Sequence, residues 1–238
     1  MMSHINLGDI VVDVVLKDIK NVHLSVHPPM GRVRISAPKR MGIDTIRLFA
    51  ISKLDLIKQQ QTRLRGQERE TPREYVERES HYVWGERYLL TVSESDEPPS
   101  IEVRHGRLHL RVRPRSDEDK RRALVEEWYR WQLKEAVSPL LARWQPLLGV
   151  RVERLFVRRM KTRWGSCNHK ARTIRLNTEL AKKPEECLEY IVVHELVHLL
   201  EPTHNARFVV LMDRFMPKWQ FHRQVLNRLP VRREKWSY

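Results

Sequence analysis

Residues 194–204 read H-E-L-V-H-L-L-E-P-T-H, and the rest of the chain is best interpreted outward from them. His194 and His198 are four residues apart, so on a helix they share one face and can hold one metal ion. Glu195 lies beside them, where its carboxylate can reach a water molecule at the metal. His204 follows after a predicted helix end and is the predicted third ligand. Three protein ligands leave one position open, which is typical of catalytic rather than structural zinc.

The third ligand has an alternative in Glu201, three residues after His198 and potentially on the same helix face. Pro202 disfavours α conformation at Glu201, so the helix should end there and the carboxylate should point away. We therefore favour His204, because imidazole suits zinc. A pair of core histidines with Glu195 at a solvated edge is the simpler interpretation. The cost of burying these polar groups without a metal disfavours it.

Apolar spacing predicts the helices around this stretch. Residues 184–200 have apolar side chains at helical spacing, with Pro184 in the first turn and acidic residues after it. A second apolar stripe follows His204 and predicts a second helix. A long helix should begin at Ser116 or Asp117 and run to about Trp144. Its predicted buried side chains are Leu124, Trp128, Trp131, Leu133 and Val137.

The strand pattern completes the predicted α+β fold. Residues 155–167 and 173–176 are predicted to form two antiparallel strands against the metal helix. We expect residues 1–115 to form a β-rich N-terminal lobe with one helix at about 43–65. Residues 116–238 are the predicted zincin-like metallopeptidase domain, in which the metal helix packs on a small antiparallel sheet.

Several sequence runs resemble one known family. They are M-K-T-R-W-G-S-C at 160–167, I-R-L-N at 174–177 and T-H-N-A-R-F at 203–208. Together with the metal helix, they resemble the YgjP-like metal-dependent hydrolases, relatives of the SprT-like and Spartan-type zinc metalloproteases. The runs at 31–39 and 82–88 resemble the leading region of that family, so the resemblance covers nearly the whole chain.

The resemblance implies a role for each residue of the predicted site. It implies one zinc ion with Glu195 as the catalytic base, and it implies as ligands His194, His198 and His204. Glu201 stands where the related metzincins carry glycine, which argues against a metzincin proper. The expected reaction is peptide-bond hydrolysis by a zinc-activated water that loses its proton to Glu195.

The strand at 163–167 is the predicted wall of the substrate cleft. Gly165 would let a substrate backbone approach closely, and Trp164 either covers the cleft or belongs to the core. The predicted substrate contacts are Arg163, Trp164, Gly165 and Ser166. The expected substrate is a protein or a peptide, and a zinc hydrolase of a small amide is the alternative.

The charge balance suggests a polyanionic partner. Forty-five Lys and Arg residues against 30 Asp and Glu residues leave a net charge of +15. Such a field attracts DNA without reading its sequence, and a protease that acts on DNA-associated proteins would use it. A generally basic solvated surface is the alternative interpretation. A nucleic-acid-binding protein with a structural zinc would explain the charge but not Glu195. The basic clusters lie at 111–115, 120–122, 158–163 and 228–235.

Composition favours a cytoplasmic setting and no membrane association. No apolar run reaches the length of a membrane span, and the first residues lack the profile of a signal peptide. Two cysteines, Cys167 and Cys187, are too few for a disulfide framework. We expect both to be buried thiols in a reducing compartment.

Overall fold

The chain forms two compact units, each with its own strands and helices, and the boundary lies between Thr71 and Pro72. The structure is a computed structural model that describes residues 2–27, 31–66, 73–160 and 163–229. The α+β class predicted from the sequence is confirmed. None of the helices in these ranges has the length and apolar character needed to cross a membrane.

The N-terminal unit is a four-stranded sheet with two helices. The sheet has the order β1-β2-β4-β3, and its central strands β2 and β4 run parallel. Alternate side chains of these strands, such as Val12 and Ile35, are fully buried with Ile46 and Ile57 of the helices. The single helix predicted here is two helices, which separate at Lys53. The elements are β1 (Met2–Leu7), β2 (Ile10–Lys17), β3 (His23–His27), β4 (Arg32–Pro38), α1 (Ile43–Ser52) and α2 (Leu54–Gly66).

A second four-stranded sheet belongs to the C-terminal unit, with the order β5-β6-β8-β7. Its buried side chains, including Leu90 and Leu108, share one core with Leu133 of the long helix. This shared core explains why the division falls at 71/72 rather than at the predicted 115/116. Alternation reveals strands, but it does not reveal which helix covers them. The strands are β5 (Ser80–Val83), β6 (Glu86–Glu94), β7 (Ser100–Arg104) and β8 (Arg107–Val112).

The long helix α3 spans Glu118–Leu148. Its N-cap is Asp117, whose Oδ1 accepts a hydrogen bond from the backbone N–H of Lys120 at 2.8 Å, as predicted. Its buried face includes Leu133 and Val137, but Trp131 is 54% exposed. The prediction for Trp131 was wrong because a residue two positions before Leu133 lies on the opposite side of a helix.

The remaining elements of the C-terminal unit carry the sequence motifs. They are β9 (Arg154–Arg158), β10 (Gly165–Asn168), β11 (Thr173–Asn177), a 3-10 helix (Thr178–Lys182), α4 (Glu185–Val197), α5 (Ala206–Phe215) and α6 (Trp219–Arg228). The sheet has the order β10-β11-β9 and is mixed. β10 is antiparallel to β11, as predicted, but β9 is parallel to it. The predicted strand at 155–167 is therefore two strands on opposite sides of β11.

Candidate metal centre

Helix α4 ends at the histidine pair. His194 lies in its last turn, and His198 is its C-cap residue with φ −64° and ψ −16°. Beyond the helix, backbone hydrogen bonds join residues three positions apart; for example, the N–H of Leu200 donates to the carbonyl of Val197 at 2.9 Å. The chain then turns through Pro202, and His204 lies in the segment before α5. This turn brings His204 back to the end of α4.

Three imidazoles converge at this point. The Nε2 atom of His204 lies 3.0 Å from Nε2 of His194 and 3.1 Å from Nε2 of His198. Three nitrogens bound to one tetrahedral zinc ion stand about 3.3 Å apart, given zinc–nitrogen distances of about 2.0–2.1 Å. The observed separations are close to that value. The donor set and its spacing therefore fit a single metal ion.

A second hydrogen bond sets the tautomer of His198. Its Nδ1 lies 3.0 Å from the backbone carbonyl oxygen of Glu201, which can only accept. Nδ1 therefore carries the proton, and the neutral ring keeps a lone pair on Nε2, as a metal ligand requires. The Glu201 carboxylate accepts hydrogen bonds from the backbone and hydroxyl of Thr203. It is not part of the cluster that can hold a metal ion.

Burial favours the neutral form of His194 and His198. Burial is the largest cause that lowers the pKa of His194 to about 3, and the neighbouring His198 and His204 contribute to this value. Burial also lowers the pKa of His198, against a raising effect of its bond to the Glu201 carbonyl. Neutral imidazoles are the form that binds a metal ion.

Phe208 packs against all three imidazoles. It is buried, and its ring centroid lies 4.9 Å from that of His194 and 4.7 Å from those of His198 and His204. Asn205 caps α5, because its Oδ1 accepts from the Phe208 N–H at 3.0 Å. The cap fixes the start of α5 directly after His204. The sequence predicted Phe208 only as core, since helical spacing does not reveal what a ring contacts.

Glu195 is a buried carboxyl beside the histidines. It is 4% exposed, and its Oε2 has no hydrogen-bond partner within the described ranges. Burial raises its pKa to about 8, and the charge of Arg163 opposes the rise. A carboxylate with a raised pKa is a stronger base than a solvated one.

The start of β10 lies against Glu195. Gly165 presents its Cα to the carboxyl, so that a Cβ there would lie 2.9 Å from both Cγ and Cδ of Glu195. Cys167, two residues along the same strand face, is also near Glu195; burial raises its pKa to about 11, with Glu195 adding to the rise. Ser166 lies between them and points to the other face of the sheet.

Asn177 holds the chain that leads into β10. Its Nδ2 donates to the backbone carbonyls of Met160 and Arg163, both at 2.8 Å, and its own N–H donates to the Trp164 carbonyl at 2.8 Å. These bonds hold the segment between β9 and β10 to the end of β11. Asn177 is the last residue of the I-R-L-N run, and the sequence alone predicts no role for it.

Helix α6 adds an aromatic and cationic side to the site. Buried Tyr190, one turn before His194 on α4, stacks on Trp219 with ring centroids 6.5 Å apart. Arg223, one turn after Trp219, lies close enough to lower the pKa of His194, where burial is the larger cause. Trp219 and Arg223 line a cavity of about 440 Å³ with Gln220, Gln224 and Asn227.

A sequence model of a known family covers most of the chain. It is described as YgjP-like, metallopeptidase domain, and it matches residues 20–229. The chain belongs to the YgjP-like family. The resemblance found in the sequence is thereby confirmed, and this YgjP-like protein contains a metallopeptidase domain.

Two crystal structures of metallopeptidase zymogens are similar to part of this YgjP-like chain. Abylysin of Pyrococcus abyssi is 24% identical, with a TM-score of 0.36, over 41% of this chain and 99% of its own. Jannalysin of Methanocaldococcus jannaschii is 23% identical, with a TM-score of 0.33, over 40% of this chain and 92% of its own. No curated protein matches the chain.

The four predicted substrate residues of the YgjP-like chain lie in different surroundings. Arg163 is exposed and close to Glu195, and Trp164 packs partly on the core with the Lys183 Nζ 6.0 Å from its ring centroid. Gly165 faces the Glu195 carboxyl rather than open space. Ser166, half-buried, is on the opposite sheet face.

Several residues of the predicted basic clusters pair with acids within the described ranges. Arg111 pairs with Glu97, and Arg121 lies 3.8 Å from Glu94. Residues 161, 162 and 230–238, which include part of two clusters, lie outside the described ranges. Ion pairing at these arginines reduces the positive field that they present.

Proposed function

We propose that this chain is a zinc-dependent peptidase of zincin-like architecture, with Glu195 as its general base. The proposed ligands of one zinc ion are His194, His198 and His204. The observation that carries the proposal is the convergence of three imidazole nitrogens beside a buried carboxyl whose Oε2 has no hydrogen-bond partner within the described ranges. A structural site gains nothing from such a carboxyl.

Zinc, when bound, supplies a Lewis acid that increases the acidity of water and favours negative charge on a carbonyl oxygen. Glu195 then accepts the proton of the attacking water and passes it to the leaving amine nitrogen. Phe208 and the Glu201 carbonyl hold the imidazoles in place. The guanidinium of Arg223 in α6 lies close enough to His194 for its charge to lower the pKa of that histidine. We propose this guanidinium as the second group that stabilises the oxyanion.

The proposed substrate is an extended peptide along β10. This strand is at the edge of its sheet, so the outer backbone groups of Gly165–Asn168 lack a neighbouring strand within the described ranges. An extended peptide can pair with such an edge through its main chain. The strand lies beside α4, so a paired peptide passes the catalytic carboxyl. This length of edge favours a peptide over a small amide.

The proposal is tested by cleavage of a fluorescently labelled unfolded protein. Metal-depleted protein, zinc-reconstituted protein and reconstituted Glu195→Gln are compared at equal concentration. We expect cleavage only in the reconstituted wild type, with Glu195→Gln reduced by about 10²–10⁴-fold because the base is lost. Glu185→Gln, which changes an exposed acid in the first turn of the same helix, is the matched control and should cleave at the wild-type rate.

Two results would contradict the proposal. Turnover retained in Glu195→Gln would remove Glu195 from its role, and intact substrate in reconstituted wild type would remove the peptidase. Single-stranded DNA is added in a parallel series at several salt concentrations. Stimulation that decreases steeply with salt would support an action on DNA-associated proteins, whereas a response independent of DNA would assign the net charge to solubility.

A further inference from the structure

Gly165 is a glycine that backbone geometry does not require. Gly8, Gly31, Gly85, Gly106 and Gly149 have positive φ. Gly42 and Gly165 do not, and any residue can adopt their backbone conformation. Gly165 also lies within β10, where glycine weakens a strand because it has no side chain to pack. Its presence needs a different explanation.

The space that a side chain would occupy supplies that explanation. A Cβ at Gly42 would meet nothing within 4 Å. A Cβ at Gly165 would lie 2.9 Å from Cγ and Cδ of Glu195 and would overlap its Oε1. Carbon atoms that are not bonded approach to about 3.5–4.0 Å. An alanine at 165 and the present Glu195 rotamer therefore exclude each other.

The backbone of Gly165 has little freedom to retreat from Glu195. Gly165 is opposite Leu176 in the β10–β11 pairing, and Leu176 is fully buried. The preceding peptide groups are held by Asn177 through the carbonyls of Arg163 and Trp164. An added side chain would consequently displace the carboxyl of Glu195, which is the end of a flexible side chain, rather than the strand.

We propose that Gly165 is the positioning residue of the catalytic base: the missing side chain leaves a recess in β10 that holds the Glu195 carboxyl beside the histidines. This inference rests on the proposed function. It assigns to Gly165 a contact with the enzyme's own base, in place of the close approach to substrate that the sequence suggested. The position of the base is thus determined by a residue 30 positions earlier in the chain.

The test compares Gly165→Ala with Gly42→Ala, the matched glycine control with open space. For Gly165→Ala we expect kcat to fall by about 10–100-fold, because a displacement near 1 Å can cost 10²-fold. We expect KM, zinc stoichiometry and zinc affinity to stay at wild-type values, since no ligand is changed. In a Glu195→Asp background, whose carboxyl is one methylene shorter, the same alanine should cost less than about 3-fold. Wild-type kcat in Gly165→Ala, or an equal loss in the Glu195→Asp background, would overturn the proposal.

A stability measurement separates this inference from the peptidase itself. The Tm of metal-free Gly165→Ala should be lower than that of wild type, and this difference should vanish when Glu195→Ala is present in both proteins. An equal difference in both backgrounds would overturn the contact. If Gly165→Ala does not fold, folding of Gly165→Ala/Glu195→Ala supports the recess and its failure to fold overturns it. If the wild type does not cleave, the proposed function fails, and the Tm comparison still decides the contact.

Discussion

Two buried acids, one in each unit, have opposite surroundings. Asp13 in β2 is 3% exposed, and Glu195 in α4 is 4% exposed. The Asp13 Oδ1 lies 2.9 Å from Nδ1 of His4 on β1, and its Oδ2 lies 2.5 Å from Nε of Arg32 at the start of β4. The Oε2 of Glu195 has no partner among the described residues.

Because of this one difference, the pKa values of the two acids shift in opposite directions. Burial raises the pKa of Asp13, but the hydrogen bonds and charges of Arg32 and His4 outweigh it and leave the pKa below its usual value. Burial raises the pKa of Glu195 to about 8, and only Arg163 opposes the rise. Similar burial thus gives a stabilising ion pair in one unit and a destabilising carboxyl with a raised pKa in the other. A buried acid without a partner is the better indicator of a site.

Of the changes that distinguish Glu195 from Asp13, the binding of zinc should have the largest effect on stability. An ion beside Glu195 supplies the missing opposite charge, and at about 100 times its Kd it stabilises the folded state by about 2.7 kcal/mol. Hydrogen exchange should slow at the amides of α4 when zinc is added, while the amides of β2 around Asp13 stay unchanged. His204→Ala should abolish this protection. Protection that survives His204→Ala but is lost in Glu201→Ala would make Glu201 the third ligand.

Removal of the partnered acid should have the next largest effect. Asp13→Asn should lower the free energy of unfolding by about 2 kcal/mol at neutral pH, because two bonds to a charged group are lost. The Asp13 pKa is lowered in the folded state, so this stability is present above the ordinary value of about 3.9 and is lost as pH falls through the lowered one.

The difference in the free energy of unfolding between Asp13→Asn and wild type is measured in urea, with hydrogen exchange at the amides of β2 and β4 as the probe. The difference should disappear toward pH 2. Asp18→Asn, which changes an exposed acid of the same unit, should match wild type throughout. A difference that persists undiminished at pH 2 would show that packing rather than charge makes Asp13 important.

The smallest effect should have the opposite sign. In metal-free protein, Glu195→Gln should raise the free energy of unfolding by about 1 kcal/mol at pH 8, because a buried acid without a partner is replaced by a neutral group. The raised pKa means that the folded state holds a proton that the unfolded chain releases, so wild-type stability falls as pH rises from about 4.3 toward 8. The gain should therefore be absent at pH 4. A pH-independent gain would indicate packing, and Glu185→Gln is the control.

The helical part of the site was accessible from sequence alone. His194, Glu195 and His198 are neighbours on one helix, and the spacing of four residues places the histidines on one face whatever surrounds them. The helix ends at Val197, a few residues before the end predicted from Pro202, and the structure places His204 with the pair. The N-cap of α3 is Asp117, one of the two caps predicted, because capping depends on residues within one turn.

Other features were not accessible because they join distant residues. The parallel pairing of β9 with β11 and the division at 71/72 depend on which surfaces share a core. Gly165 and Ser166 were predicted as parts of one wall, but alternation along β10 places them on opposite faces of the sheet.

The sequence by itself thus determined the class of fold, the family and the spacing of the three histidines, since these depend on local backbone geometry and on motifs that can be read directly. Only the tertiary structure decided that Asp13 has two partners while Oε2 of Glu195 has none among the described residues, and that Gly165 lies against the Glu195 carboxyl. Partnership and empty space are properties of packed neighbours from separate segments, and no local pattern of residues records them.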